Sequence, residues 1–332
     1  MKFLRRIFLW VPVLILMSGG VSLAQNTAEH IVAQGLQDAV QGNLQGAGEE
    51  FDKALGVDPY YQPARDYQRV LADVKDQKLK AQTAIAFYKG AQYILRGEWA
   101  KAIAGFGKAV KMNPQFAMAY SYRGMAHDVN LSFQRAIADH NRAIALDPGY
   151  AMAYTYRGLA YSHNGKYMPA IKDFTTAVQI DPQLAIAHYN RGICYFSQER
   201  YDQAIADYDR AIEIDPRYAR AYNNRGNAYL KKGEPDRTIE DCSKALELDP
   251  TMATAYNNLG AAHANKGQIG QAIFNYNKAI ELDPRFALAY FNRGSAKMAL
   301  GNRTEACADL RKACDLSPCP TNVITQIMKQ CQ

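Results

Sequence analysis

Histidine and cysteine are the residues of this 332-residue chain whose side chains most often do chemistry, and their spacing does not indicate an enzyme. The six histidines share no helical spacing, and neither an H-E-x-x-H nor a C-x-x-C motif occurs. The segment "GNLQGAGEE" at 42–50 follows a predicted helix rather than a strand, so it does not predict a phosphate-binding loop. We therefore expect no catalytic residues, no metal and no cofactor.

Asparagine and arginine recur instead, in segments that have helical patterns. The segment "AYNNRGNAYLKKG" at 221–233 returns as "AHYNRGICYFSQE" at 187–199, "AYNNLGAAHANKG" at 255–267 and "AYFNRGSAKMALG" at 289–301. Asparagine competes with helical hydrogen bonding, so its repeated use inside helices indicates a specific purpose. A carboxamide offers two donors and an acceptor, and a guanidinium offers five donors and a permanent charge.

A fixed period of 34 residues accounts for the recurrence. It is marked by seven prolines, namely Pro114, Pro148, Pro182, Pro216, Pro250, Pro284 and Pro318. With this proline as position 32, every unit has glycine at position 8 and alanine at position 27. The steps of four and three in positions 4-8-11 and 20-24-27 place each set on one helix face. Each unit is therefore predicted to be two helices, and the proline, which lacks an N–H, ends the second.

This pattern resembles the tetratricopeptide repeat (TPR) family over 83–320, with arginine where the family usually has leucine at position 7. The resemblance implies an all-α, right-handed superhelical solenoid of helix–turn–helix repeats, seven of which are contiguous over 83–320. Region 25–82 is expected to hold a divergent unit at 28–61 and an extra helix. That helix is either separate from the first helix of 83–116 or continuous with it. Residues 321–332 are expected to form a capping helix.

Arginine at position 7 has a predicted partner in its own repeat. Positions 3 and 10 on the same stripe are mostly small, so position 7 should be largely buried and should need a carboxylate. Position 23 supplies aspartate, and the repeats that lack the arginine, with Leu259 and Lys89, also lack the aspartate. The predicted structural ion pairs are Arg123–Asp139, Arg157–Asp173, Arg191–Asp207, Arg225–Asp241 and Arg293–Asp309.

Asparagine at positions 5, 6 and 9 lies on the face of the first helix that contacts neither the second helix nor the next repeat. In the TPR family this face is concave, and in some members an asparagine ladder there grips a peptide backbone. The resemblance thus implies a peptide-binding site that includes Asn190, Asn223, Asn224, Asn227, Asn257, Asn258 and Asn292. The alternative is that these are tolerated, solvated residues. A second TPR mode, a clamp on a C-terminal carboxylate, is suggested by Arg220, Asn224, Asn227 and Lys231 alone.

Earlier repeats carry methionine and aromatic residues on this face, which make an adaptable apolar surface. The predicted apolar wall, which would contact partner side chains, includes Tyr122, Met125, Tyr156, Tyr189 and Phe196. The alternative is that this wall packs against the chain's own N-terminal helices.

The leading functional hypothesis is a non-enzymatic scaffold or adaptor that binds a protein or an extended peptide. The alternative is a structural or assembly subunit of a cell-envelope complex. Charged residues make up 21% of the chain and the net charge is a mild +7, so nucleic acid is not an expected partner. The sequence predicts no oligomeric state.

The first residues have the pattern of an export signal. "MKFLRR" is basic, Ile7–Met17 is apolar, and Ser22–Ala24 offers small residues for cleavage, which gives a predicted signal peptide of 1–24. The apolar run is short for a membrane span. The mature chain, with a net charge of +4 after loss of three cations, is expected to be soluble and periplasmic or secreted, without a transmembrane span. The alternative is an uncleaved anchor.

Export makes disulfides plausible. If 321–331 folds back as a cap, Cys331 reaches Cys307 and leaves Cys314 to pair with Cys319. Cys194 and Cys242 occupy packing positions and are expected to be buried free thiols.

Overall fold

The computed structural model describes residues 23–317 and Cys331, and over this part of the chain it contains helices and no strands. The predicted all-α class of paired helices is confirmed there. The chain divides into two compact units, unit 1 up to Cys194 and unit 2 from Tyr195. The predicted signal peptide (1–24, apart from its last two residues) and capping helix (321–332, apart from Cys331) lie outside the described residues.

Unit 1 begins with a helix pair and a single extra helix, and regular pairs follow. Its helices are α1 (Leu23–Gln41), α2 (Leu44–Val57), α3 (Gln62–Lys75), α4 (Ala81–Leu95), α5 (Trp99–Met112), α6 (Ala117–Val129), α7 (Phe133–Leu146), α8 (Ala151–His163), α9 (Tyr167–Ile180) and α10 (Ala185–Ser197), which crosses the unit boundary. Those of unit 2 are α11 (Tyr201–Ile214), α12 (Ala219–Lys232), α13 (Pro235–Leu248), α14 (Ala253–Asn265), α15 (Ile269–Leu282), α16 (Ala287–Ala299) and α17 (Arg303–Leu316). None of these helices is both long and apolar enough to span a membrane.

The turn inside each repeat depends on a left-handed residue at position 15. Glycine takes this conformation in five repeats, for example Gly165 with φ 72° and Gly233 with φ 78°. Leu131 and Glu199 adopt it in the other two, with φ 55° and 61°. Because only glycine takes a positive φ without a steric penalty, the sequence signal for the turn is strong in five repeats and weak in two.

In six of the seven repeats the second helix ends at an Asp-Pro or Asn-Pro step, and in the last repeat its C-cap is Ser317. The side chain at position 31 accepts a hydrogen bond from the backbone N–H two residues later, as Asp181 does from Gln183 and Asp283 from Arg285, at 3.0 and 2.9 Å. This short-range bond replaces the helical one that the proline cannot make. The next first helix then begins three residues after the proline.

Helix pairs approach closely because position 8 has no side chain. A Cβ at Gly158 would lie 2.8 Å from the ring of Phe174 on the partner helix. Alanines at position 27 pack opposite without exposure, as Ala177 does. Where position 24 is aromatic, as at Phe106 and Phe174, its ring therefore fills the interior of the repeat against a bare helix backbone.

The extra helix α3 is separate from α4. The alternative in which it continues into the first helix of 83–116 is wrong, because residues 76–80 form a turn. Gln77 is left-handed with φ 60°, and the buried Leu79 donates its N–H to the carbonyl of Asp73. Leu79 anchors this turn, which separates the end of α3 at Lys75 from the start of α4 at Ala81.

Four predicted ion pairs are present among the described residues, each bidentate with N–O distances of 2.5–2.9 Å. They are Arg123–Asp139, Arg157–Asp173, Arg225–Asp241 and Arg293–Asp309. Arg191 and Asp207 belong to different units, and their pairing stays a prediction.

The third guanidinium nitrogen has a partner that sequence reasoning missed. It donates to position 25 of the preceding repeat, as from Arg157 to Asn141 (2.7 Å), from Arg225 to Asp209 (2.6 Å) and from Arg293 to Asn277 (2.7 Å). The arginine therefore joins three helices and two repeats. The sequence contained a signal for this contact, since each of these arginines has a polar residue at position 25 of the preceding repeat.

The cysteines lie in two environments. Cys194 and Cys242 are buried thiols outside any disulfide, and burial raises the pKa of the Cys242 thiol. The predicted Cys307–Cys331 disulfide is present, with a Cα–Cα distance of 5.8 Å. Cys314 is also disulfide-bonded, and its predicted partner Cys319 lies outside the described residues.

The ion-pair arrangement yields a stability prediction with a control that the chain itself provides. We expect Asp173→Asn to lower the free energy of unfolding by about 2 kcal/mol or more, because it leaves the Arg157 guanidinium without its carboxylate. The double change Arg157→Leu with Asp173→Asn copies the natural Leu259 and Asn275 combination and is expected to recover at least half of that loss. Urea denaturation followed by circular dichroism measures both, and a double variant less stable than Asp173→Asn alone would contradict this account.

Candidate functional site

The first-helix face, defined here as positions 2, 5, 6 and 9 of each first helix, carries the predicted site residues. In unit 2 it lies on α12, α14 and α16. Asn223 and Asn257 at position 5 are buried, with 7% and 3% of their surface exposed. The asparagines at position 6 are half-buried instead, and they are Asn224, Asn258 and Asn292. The structure therefore separates two kinds of asparagine that the sequence pattern did not distinguish.

Carboxamides of neighbouring repeats are hydrogen-bonded to one another in unit 2. The Nδ2 of Asn258 donates to the Oδ1 of Asn223 at 3.0 Å, and the Nδ2 of Asn292 donates to the Oδ1 of Asn257 at 2.9 Å. Asn223 in turn donates to Asn224 at 3.2 Å. Each buried position-5 asparagine thus holds the position-6 side chain of the next repeat in one orientation. Since a carboxamide has two N–H donors and an acceptor, the half-buried Asn258 and Asn292 keep hydrogen-bonding capacity toward solvent beside these bonds.

Other predicted contributors surround this chain of carboxamides. Asn227 and Arg220 on α12 are half-buried, and Lys231 near the end of α12 is exposed. Asn190, in unit 1, donates its Nδ2 to the carbonyl of Ile186 in its own helix at 2.8 Å. Phe196 is half-buried, and its ring lies 5.4 Å from that of Tyr201.

Two exposed apolar residues on α16 were missed. Phe291 occupies position 5, where the two preceding repeats have buried asparagine, and is 37% exposed. Leu288, three residues earlier on the same face, is 50% exposed. The break in the asparagine pattern at Phe291 was the available signal. The first-helix face of unit 2 therefore changes from amide and cationic side chains on α12 to apolar ones on α16.

The predicted apolar wall requires a correction, because in unit 1 it is covered. Tyr122, Met125 and Tyr156 are 1–5% exposed, and Tyr189 is equally buried. The hydroxyl of Tyr122 donates to Asp66 on α3 at 2.8 Å, and its ring centroid lies 6.0 Å from that of Tyr67. At Tyr122 the wall therefore packs against the chain's own N-terminal helices, which was the alternative expectation. Sequence reasoning could not choose it, since α3 lies outside the repeat register.

The carboxyl of Asp66 is buried where α3 packs against Tyr122. It is 4% exposed and accepts hydrogen bonds from Tyr122 and from Gln62, the latter at 3.0 Å. Burial raises the pKa of its carboxyl to about 6, and the two hydrogen bonds oppose that rise only in part. One turn along α3, Arg69 donates to Asp147 at 2.9 Å and stacks over the ring of Tyr150.

Known protein-family profiles match the repeat region of this chain. Profiles described as tetratricopeptide repeat match residues 93–151, 151–184, 219–252, 242–274 and 287–318, and a profile described as TPR repeat matches 194–233 and 265–301. The chain belongs to the tetratricopeptide repeat family. No curated protein gave a significant sequence match.

Solved structures support the TPR fold. A tetratricopeptide repeat protein from Parabacteroides merdae ATCC 43184 is 19% identical over 75% of this chain and 98% of its own, with a TM-score of 0.58. Pseudomonas aeruginosa pilF is 17% identical over 64% and 97%, with a TM-score of 0.57. PilW, described as a widely conserved type IV pilus biogenesis factor, is 17% identical over 61% and 94%, with a TM-score of 0.56. At these identities the likeness concerns the fold alone.

The buried carboxyl of Asp66 predicts a pH dependence of stability. Its pKa is raised on folding, so its stabilising contribution is complete below pH 4 and is lost as the pH rises through 6. A rise of roughly 2 pKa units corresponds to about 3 kcal/mol. Asp66→Asn keeps an acceptor for Tyr122 but has no carboxyl to ionise. The stability of this variant relative to the wild type should therefore be higher at pH 7.5 than at pH 4. Urea denaturation at both pH values measures the difference.

Asn130→Ala, which changes an exposed side chain that does not titrate, supplies the control. It should keep the same difference in stability from the wild type at both pH values. A constant difference for Asp66→Asn as well would show that the burial of Asp66 has no thermodynamic effect.

Proposed function

We propose that this TPR protein is an adaptor whose unit 2 binds an extended peptide segment along the first-helix face of α12, α14 and α16. The single observation that carries the proposal is the chain of carboxamides between repeats. Asn258 and Asn292 are each oriented by a buried asparagine of the preceding repeat while remaining half-exposed. Such preorganisation lowers the entropic cost of binding.

The spacing of the carboxamides supports an extended ligand. Packed helices lie about 8–10 Å apart, and an extended chain rises roughly 3.3 Å per residue. One position-6 asparagine would then meet every third residue of the bound segment. Because a carboxamide pairs with both N–H and C=O groups, these contacts would recognise backbone and tolerate many sequences.

Side chains at the two ends of the face would add selectivity. Arg220 at position 2 of α12, with Lys231 beside the face near the end of that helix, would favour acidic residues in the ligand. Leu288 and Phe291 on α16 would favour a bulky apolar residue. The ligand class is thus an extended segment that is acidic toward α12 and apolar toward α16.

The same proposal includes export. The basic and apolar pattern of residues 1–24 supports secretion across a membrane, and the Cys307–Cys331 disulfide is of a kind that persists in oxidising compartments. We therefore assign the adaptor to the periplasm or the exterior.

The test uses peptides selected by phage display against the full-length protein and measured by fluorescence anisotropy. Replacing Asn224, Asn258 and Asn292 together by alanine should weaken binding at least tenfold, since several hydrogen bonds of about 0.5–1.5 kcal/mol are lost. Asn130→Ala changes an exposed asparagine in unit 1 and should leave the affinity unchanged.

A second variant separates contact from orientation. Asn257→Leu removes the buried acceptor of Asn292 without changing the half-buried asparagines at position 6, and it should weaken binding by a smaller factor. If the selected peptides bind the triple variant as tightly as the wild type, with circular dichroism unchanged, the proposed site is wrong.

A further inference from the structure

The turns between the first and second helices of three consecutive repeats form one edge of unit 1. We call residues 96–101, 130–135 and 164–169 the turn edge. Every first helix runs in the same direction, so these turns lie side by side. The Nδ1 of His163 lies 2.8 Å from the Oδ2 of Asp128, which joins the ends of α6 and α8 just before their turns. Helix α6 contacts both α4 and α8, so the three turns follow one another along the edge.

Two apolar side chains on the turn edge are exposed at positions where other repeats do without them. Leu131 and Met168 are each 62% exposed. Leu131 has a φ of 55° at position 15, where five repeats have glycine, so it combines an unfavourable backbone conformation with an unburied side chain. At position 18, the place of Met168, the other repeats have small or polar residues, namely Ala100, Gln134, Asp202, Asp236, Gly270 and Thr304. Packing within the repeat explains neither residue.

The turn edge also has an excess of positive charge. It contains four exposed cations and one carboxylate, and that carboxylate, of Glu98, is paired with Lys101. The other three cations have no carboxylate within ion-pair distance among the described residues, and they are Arg96, Arg135 and Lys166. The corresponding turns of the four later repeats carry five carboxylates and five cations. The positive charge is therefore a property of these three turns and not of the repeat.

A half-buried aromatic ring accompanies these side chains on each of the three turns. At position 17 the three repeats have Trp99, Phe133 and Tyr167. Exposed apolar side chains, aromatic rings and unpaired cations together are what a protein surface needs to contact the headgroup layer of an anionic membrane.

We propose that the turn edge of unit 1 is a docking surface for the anionic face of a phospholipid bilayer. Leu131 and Met168 would enter the interfacial layer, and the three unpaired cations would contact the lipid phosphates. The rings at position 17 would lie at the depth of the headgroups, where tryptophan and tyrosine are enriched. This surface includes no residue of the peptide site in unit 2, and the inference does not rest on that site.

The arrangement favours a bilayer over a protein as the occupant. The exposed groups lie at the tips of successive turns, spaced like packed helices at roughly 8–10 Å, so a flat surface can contact all of them at once. A row of cations without unpaired carboxylates complements a surface of uniform negative charge. Protein interfaces instead have a closely packed apolar core, which Leu131 and Met168 on separate turns do not form.

The first test measures co-sedimentation with vesicles of the chain from Gln25 onward, which lacks the apolar run of residues 7–17. Vesicles of phosphatidylcholine with about one third phosphatidylglycerol should bind this protein at least tenfold more tightly than vesicles of phosphatidylcholine alone, because the unpaired cations attract anionic lipid. Arg135→Glu combined with Lys166→Glu should abolish this preference.

A second double variant, Leu131→Gly with Met168→Gln, tests the apolar contacts. It should weaken binding to the anionic vesicles about tenfold, because less apolar surface enters the interface. The free energy of unfolding should not fall, since glycine suits the positive φ at position 15. Leu300→Gln is the matched control, because Leu300 is 53% exposed in the α16–α17 turn of unit 2, and it should leave vesicle binding unchanged.

Two results would overturn the proposal. A wild-type chain that does not bind the anionic vesicles would exclude the bilayer and leave the turn edge to a protein partner. Vesicle binding as strong in the Leu131→Gly and Met168→Gln variant as in the wild type, with circular dichroism unchanged, would place the lipid contact elsewhere.

Discussion

The arginine at position 7 links neighbouring repeats where position 25 of the preceding repeat is polar, and the geometry of those junctions depends on it. In Arg157, Arg225 and Arg293 the guanidinium binds an aspartate of its own repeat through two nitrogens and a polar side chain of the preceding repeat through the third. Five donors in a rigid plane suit this geometry, and lysine could not reproduce it. At these junctions the place of a first helix against the preceding second helix is thereby set by a directional contact as well as by packing.

The common 34-residue register gives each position the same place from repeat to repeat, also at the junction where Leu259 replaces the arginine. Position 5 can therefore orient the position-6 side chain of the next repeat, as Asn223 does for Asn258 and Asn257 for Asn292. In unit 1 the same face carries apolar and aromatic side chains, and α3 covers it at Tyr122. One repeat scaffold thus presents a polar face in one unit and an apolar, occupied face in the other.

The 34-residue period was sufficient to predict the helix pairs and the Arg–Asp partners, because both follow from local spacing. The role of Asn141, Asp209 and Asn277 was missed although it obeys the same register, since it joins different repeats. Burial of Tyr122 could not be predicted, because it depends on Asp66, 56 residues earlier in a helix without register. The sequence left that helix either separate or fused to α4, and the conformation of Gln77 decides between the two.

Thiol labelling at matched register positions tests the central claim that this face is filled in unit 1 and open in unit 2. The native Cys194 and Cys242 are unexposed and contribute little background. Leu159→Cys places a thiol at position 9 of a repeat in unit 1, and Asn227→Cys places one at position 9 of a repeat in unit 2. The account predicts that a maleimide labels the native Asn227→Cys protein at least tenfold faster than the native Leu159→Cys protein, with equal rates after denaturation. Equal rates in the native proteins would contradict it.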